Sequence, residues 1–327
     1  MKKFFGYAFI IIINYLFLSL IVFSFSYISL NQNKVFNVPW VKTVQKKIYF
    51  GGLRKIWQYD QKCSQYDLNL LYKPAIGECT FSNPEFNTKI NFDEHRRLNG
   101  IDDEINPEDK LIALTGDSLA MGWGVNDDQT FSYHLQESLK KKVLNLGVSS
   151  YGTVRELKRI KSHRYYDQFD TIIIQYNLND LEENKKLIDK KIFSKKYYDE
   201  VFLSGDNEIN KFNFFLRYYK KTLRLLFADI IDLIFKEANL EKHDLSIHLK
   251  HLDNVVKRNL IEKNKRIIVL FIDEPNFKIL NINKFKSNNF ELLILKSDKS
   301  HFFTVDDHLN SSGHKYVGAQ LSKFLNR

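Results

Sequence analysis

From Lys110 onward, short apolar runs alternate with helical patterns, and this alternation leaves few folds open to the chain. The runs are Leu111–Thr115, Val143–Leu146, Thr171–Tyr176, Arg266–Ile272 and Phe290–Leu295. Between the first two, Phe131, Leu135 and Leu139 recur every four residues, so one face of a helix is apolar. Thr153 followed by Glu156 reads as a capping box, and Val154, Leu157 and Ile160 continue that helix. A last helix from about Ser312 places Val317, Leu321 and Phe324 on one side. Strands interleaved with amphipathic helices give an α/β fold, a central parallel sheet covered by helices in three layers.

A segment of about 80 residues, roughly 181–262, interrupts the pattern between the third and fourth runs. Phe212, Phe215, Tyr219, Leu223, Leu226 and Ile230 share one face of a helix expected over about 211–239. Such a helix covers the core, forms a lid, or rests on lipid. Residues 31–107 show little periodicity and carry turn-formers at Pro74, Gly77, Pro84 and Pro107, so an irregular membrane-proximal region is expected there.

The first thirty residues depart from globularity. Lys2 and Lys3 precede an uncharged apolar stretch from Phe4 to about Leu30. That is longer than the ~7–15 apolar residues of a secretory signal and lacks a small-residue cleavage site. It matches the ~20 residues that cross a bilayer, and reads as a single uncleaved signal-anchor with the remainder outside the cytoplasm. On that side disulfides form, and the only two cysteines, Cys63 and Cys79, lie close enough to bridge; two unpaired buried thiols are the alternative. The formal net charge of +10 comes mostly from scattered lysines, with no aromatic-interleaved basic motif for nucleic acid. His243, His248 and His251 fall in a charged helical stretch without partner ligands, which reads as a solvated helix face, and no metal or cofactor is expected.

The chemistry sits where the runs stop. The first ends in Gly116-Asp117-Ser118-Leu119, a serine just after a buried strand, and the chain later carries Asp306-Asp307-His308. A serine hydroxyl becomes a nucleophile when a base takes its proton and a third group fixes that base. The pattern is not the Gly-x-Ser-x-Gly elbow, since position 120 is Ala and position 114 is the run's second Leu. Asp117 is expected to cap or brace the turn, and His314 to pack or cap the last helix.

In these blocks the chain, over residues 108–327, resembles the SGNH or GDSL hydrolases. The first block is Gly116-Asp117-Ser118-Leu119 with Gly122-Trp123-Gly124-Val125, the second is the glycine of Asn145-Leu146-Gly147, and the third is Asn177-Leu178-Asn179-Asp180. The last is the Asp-x-His at 306–308. The resemblance implies a flavodoxin-like fold, Ser118 as nucleophile and His308 as base. It also implies an oxyanion hole from the N–H groups of Ser118 and Gly147 and the Asn179 amide. Two positions depart from the family's pattern: Asn177 stands where glycine is usual, and Val305 occupies the usual place of the acid three residues before the histidine. Some membrane-associated relatives place the acid two residues before the histidine, which fits Asp306. Adjacent side chains diverge on an extended backbone, so Asp306 is preferred and Asp307 is the fallback. The implied activity is hydrolysis of O-acyl esters on a cell-envelope glycan or lipid. The alternatives are acyl transfer by the same triad, or an envelope-assembly protein that keeps only the fold.

Overall fold

The computed structural model describes residues 2–99, 104–187, 193–203, 219–220, 241–259, 265–273, 277–280 and 285–327. It begins with the apolar helix α1 (Lys2–Asn31), of which Phe9–Asn31 is long and apolar enough to cross a membrane. Most of its large side chains are exposed, but Val22, Phe23 and Leu30 are buried. They pack with Val44, Ile48 and Tyr49, from α2 (Pro39–Ile48) and the helical turn Tyr49–Leu53 that follows it. Gln45 ties the two helices together, donating to Ser29 Oγ at 2.8 Å and to the Lys34 carbonyl at 3.0 Å.

Residues 31–107 are more regular than expected. Besides α2 they form two antiparallel hairpins, β1 (Ser64–Asp67) with β2 (Leu71–Pro74) and β3 (Gly77–Asn83) with β4 (Phe86–Phe92). The second rests on a period-two alternation that the expectation of an irregular region passed over: Phe86, Thr88, Ile90 and Phe92 are buried and alternate with Asn87, Lys89 and Asn91, and Asn83-Pro84 opens the turn. Cys63, just before β1, and Cys79, in β3, are joined. In the chain-entropy model a loop of that size is worth about 3 kcal/mol.

The five runs form one parallel sheet. Its strands are β5 (Leu111–Gly116), β6 (Val143–Asn145), β7 (Phe169–Tyr176), β9 (Arg266–Asp273) and β11 (Glu291–Lys296), in the order β11-β9-β7-β5-β6. The short β8 (Glu241–Asp244) and β10 (Phe277–Leu280) pair separately, in parallel. Alternate side chains of the sheet enter opposite cores. Ala113, Ile172, Ile174 and Val269 pack under α5 (Thr153–Lys161) and the helix Leu245–Asn259. Leu114, Ile173, Ile268 and Leu270 pack under α4 (Phe131–Leu139) and the last helix, Ser311–Leu325. Both faces are covered, as a parallel sheet requires.

Two local expectations are corrected. Gly152, not Thr153, caps α5, and Thr153 Oγ1 donates instead to Asp180 at 3.1 Å, so no capping box forms. The Glu156 carboxyl is buried without a hydrogen-bond partner among the described residues, and burial first, then Asp180 and Asp117, pushes it well up toward the neutral acid. His248 is buried rather than solvated and lies 3.2 Å from the Tyr176 hydroxyl. His314 packs as expected, stacked on Phe131 and accepting its N–H at 3.2 Å. The helix expected over about 211–239 lies outside the described residues, except for Tyr219 and Lys220.

The strand order also determines where a site can form. The chain leaves β5 to place β6 on one side, then returns across it to place β7 on the other. At such a switch point the loops after β5 and β7 part and leave a crevice at the carboxyl ends of the strands.

Candidate active site

Ser118 opens the one-turn helix α3 (Ser118–Met121) directly after β5, and Asn177–Asn179 follow β7, so both flank that crevice. Gly116 makes the turn with φ +149, where a Cβ would lie 2.7 Å from both Ala120 Cβ and Gln175 Oε1. Asp117 caps α3, accepting the Leu119 N–H at 2.9 Å and the Asn177 amide at 3.1 Å. It therefore braces the turn, as its position suggested. Arg97, fully buried, donates to the carbonyls of Gly122 and Val125 at 2.7 Å each and to Asp127 at 2.8 Å, which fixes the loop beyond the serine.

His308 arrives from the other end of the chain. The loop after β11 folds back through an antiparallel bridge between Phe302 and Leu309. Its approach is held from outside by Glu85, in the β3–β4 turn. The Glu85 carboxylate accepts the main-chain N–H groups of Thr304, Val305 and Asp306 at 2.6, 2.7 and 2.8 Å. His308 Nε2 stands 2.7 Å from Ser118 Oγ, and Nδ1 is hydrogen-bonded to Asp306 Oδ1. Asp307 points elsewhere and pairs with Lys46.

Asp306 is almost wholly buried and its second oxygen is fully engaged. Tyr49 Oη and Trp123 Nε1, the latter at 3.2 Å, both donate to Oδ2. Arg54 Nε lies 3.5 Å from it, an ion pair without a hydrogen bond. Burial alone would raise this carboxyl, but His308, Arg54 and the Tyr49 hydroxyl hold it far below the usual carboxylate range. Burial first, and then the Asp306 charge, push the Tyr49 phenol up, so it remains a donor. The Trp123 ring stacks on His308 with centroids 5.1 Å apart, and the Arg54 guanidinium lies 4.8 Å from the Trp123 ring centroid. Tyr49, Arg54 and Glu85 all come from residues 31–107, which the sequence reading left without a function.

A cavity of about 260 Å³ opens over Ser118, with Asn179, Ser149, Ser150 and Arg54 in its lining. Gly147 does not line it. Its N–H donates to Asn145 Oδ1 at 3.0 Å, and a Cβ there would lie 2.4 Å from the Met121 nitrogen. Gly147 therefore serves close backbone packing, which corrects its expected place in an oxyanion hole. Ser150, three residues later, lines the cavity with a left-handed backbone, φ 61. Its N–H and that of Ser118 make no hydrogen bond among the described residues. A left-handed non-glycine residue is strained backbone, which clusters at functional sites. Among the described residues no three His, Cys, Asp or Glu side chains group as metal ligands.

Neither a protein-family model nor a curated protein matches the chain. Solved structures do. A G-D-S-L family protein from Desulfitobacterium hafniense DCB-2 is 11% identical over 66% of this chain and 99% of its own, with a TM-score of 0.34. A two-domain esterase active on acetylated mannans is 13% identical over 66% of this chain and 48% of its own, at 0.36. The psychrotrophic esterase EstA from Pseudoalteromonas sp. is 11% identical over 67% of this chain and 100% of its own, at 0.35.

Proposed function

We propose that the chain is a membrane-anchored serine hydrolase of the SGNH kind that cleaves carboxylic esters through an acyl-enzyme. The carrying observation is the unbroken relay from Ser118 Oγ through His308 to a buried, ionised Asp306. With Nδ1–H donated to Asp306, Nε2 is the free base that takes the serine proton. Ser118 Oγ attacks the ester carbonyl as its proton passes to Nε2. The same proton then goes to the departing alkoxide, leaving the acyl group on Ser118. Water, deprotonated by Nε2, attacks the acyl carbon and returns the serine. The tetrahedral oxyanion is met by the Ser118 N–H, the Asn179 amide and, in place of Gly147, the Ser150 N–H. Each such donor is worth ~2.7–4 kcal/mol at the transition state. The apolar α1 anchors the domain in the cell membrane, and the Cys63–Cys79 bridge favours a periplasmic or extracellular side. The substrate is an O-acyl group on an envelope glycan or lipid.

The direct test is covalent labelling of the full-length protein by a fluorinated alkyl phosphonate, with the adduct located by peptide mass spectrometry. The expected result is a single adduct on Ser118. Absence of an adduct from well-folded protein, with no turnover of an aryl acetate, would overturn the assignment.

Tyr49 is a positioning residue in this scheme, since it acts on Asp306 and not on substrate. Tyr49→Phe removes one hydrogen bond to a charged group, worth ~1.5–3 kcal/mol. The expected outcome is a fall in kcat of about tenfold or more with KM nearly unchanged. A loss that appears only in KM would argue against the role.

A further inference from the structure

A second cavity of about 250 Å³ shares one lining residue, Asp307, with the first. The residue after Asp307 is the base His308, so a molecule bridging the two cavities would reach from the second to Ser118. Lys42 and Lys46, one turn apart, line this cavity from α2, whose other face buries Val41, Val44 and Ile48. The helical period therefore turns both ammonium groups outward together. Lys299 lines the same cavity from the turn Lys299–His301, and Phe302 and Phe303 supply apolar wall.

The charges do not balance. Lys46 pairs with Asp307, whereas Lys42 and Lys299 form no ion pair among the described residues. Three cations from two separate elements thus face one carboxylate in a concave site. An excess of positive charge lining one concave site favours an anion as its occupant.

We infer that this cavity seats an oxyanion, phosphate or carboxylate, carried by the ester substrate beside its scissile bond. The inference rests on the hydrolase reading of Ser118 and narrows its substrate class to anionic esters. α2 packs against the carboxyl end of the apolar helix, so the cavity lies at the membrane-proximal face of the domain. The anion can therefore belong to a lipid headgroup or to a charged glycan, and in either case its chemistry is the same.

The test compares phenyl acetate with 4-acetoxyphenyl phosphate, in full-length protein and in the Lys42→Ala, Lys299→Ala double variant. The anionic ester is expected to lose about tenfold in kcat/KM in the variant, through KM, with phenyl acetate unchanged. An unchanged ratio of the two esters would overturn the inference. Binding is read separately, from the 31P line width of inorganic phosphate added to Ser118→Ala protein. Broadening that disappears when the two lysines are also removed supports the site, and absence of broadening counts against it. Failure of phenyl acetate turnover together with retained phosphate broadening would reject the hydrolase reading while leaving the anion site standing. Nanodiscs of anionic lipid that inhibit only the wild-type lysine pattern would support a lipid headgroup as the occupant; lack of inhibition would exclude that source in favour of a soluble anion.

Discussion

Ser118→Ala is expected to lower kcat on an aryl acetate by at least about 10⁴-fold, the largest effect of any single change in this protein. Among the described residues, this hydroxyl alone is held 2.7 Å from a histidine that is itself fixed by a buried carboxylate. Alanine removes that oxygen while leaving the backbone turn intact, because Asp117, not Ser118, caps the short helix and Gly116 makes the turn. The fold should therefore survive, and an unchanged thermal transition is the control. Residual turnover would come from Asn179 and the free N–H groups acting on bound ester, with water as direct nucleophile. The measurement is single-turnover hydrolysis under saturating enzyme. Retention of more than a few per cent of the wild-type rate would mean that the reacting oxygen lies elsewhere.

What the sequence made legible follows from how local each signal is. The five strands could be read because each is a short run of buried residues, such as Ile172, Ile173 and Ile174, whose character is set by adjacent positions. Ser118 stood out because it ends such a run, and Asn179 and His308 because their short blocks resemble those of a known family; all three line one cavity. The supports of the acid were not legible. Tyr49 and Arg54 reach Asp306 across roughly 250 residues of chain, and Glu85 reaches the same loop across 219 to 221. Nothing in the local pattern of a tyrosine in Ile48-Tyr49-Phe50 announces a partner so distant. Gly147 and Ser150 show the opposite failure. A glycine beside a strand end invites an oxyanion role, yet its missing side chain is used to let backbones touch. The residue with the unusual dihedral is a serine, which no glycine-seeking pattern detects.

The sharpest test of the acid's identity is a pair of isosteric changes. Asp306→Asn is expected to reduce kcat by about 10³–10⁴-fold, whereas Asp307→Asn should alter it less than about threefold. Asparagine can present its NH₂ to His308 Nδ1 and so stabilise the wrong tautomer, with Nε2 protonated and unable to accept from Ser118. Asp307 faces Lys46 at the exposed rim, where a single ion pair is worth little to catalysis or stability. The same carboxylate also makes a prediction about pH. Its folded-state pKa lies below the ordinary ~3.9, so its stabilising contribution is fully present above that value and is lost only as pH falls through the folded pKa. Across neutral and mildly acid pH the Asp306 charge is therefore constant, and the carboxylate itself adds no change in stability from about pH 5 to 8. A contribution of this carboxylate that fell away within that window would show that Asp306 is not ionised at rest. With a neutral acid, Tyr49, Trp123 and Arg54 would have converged on a group with no charge to hold.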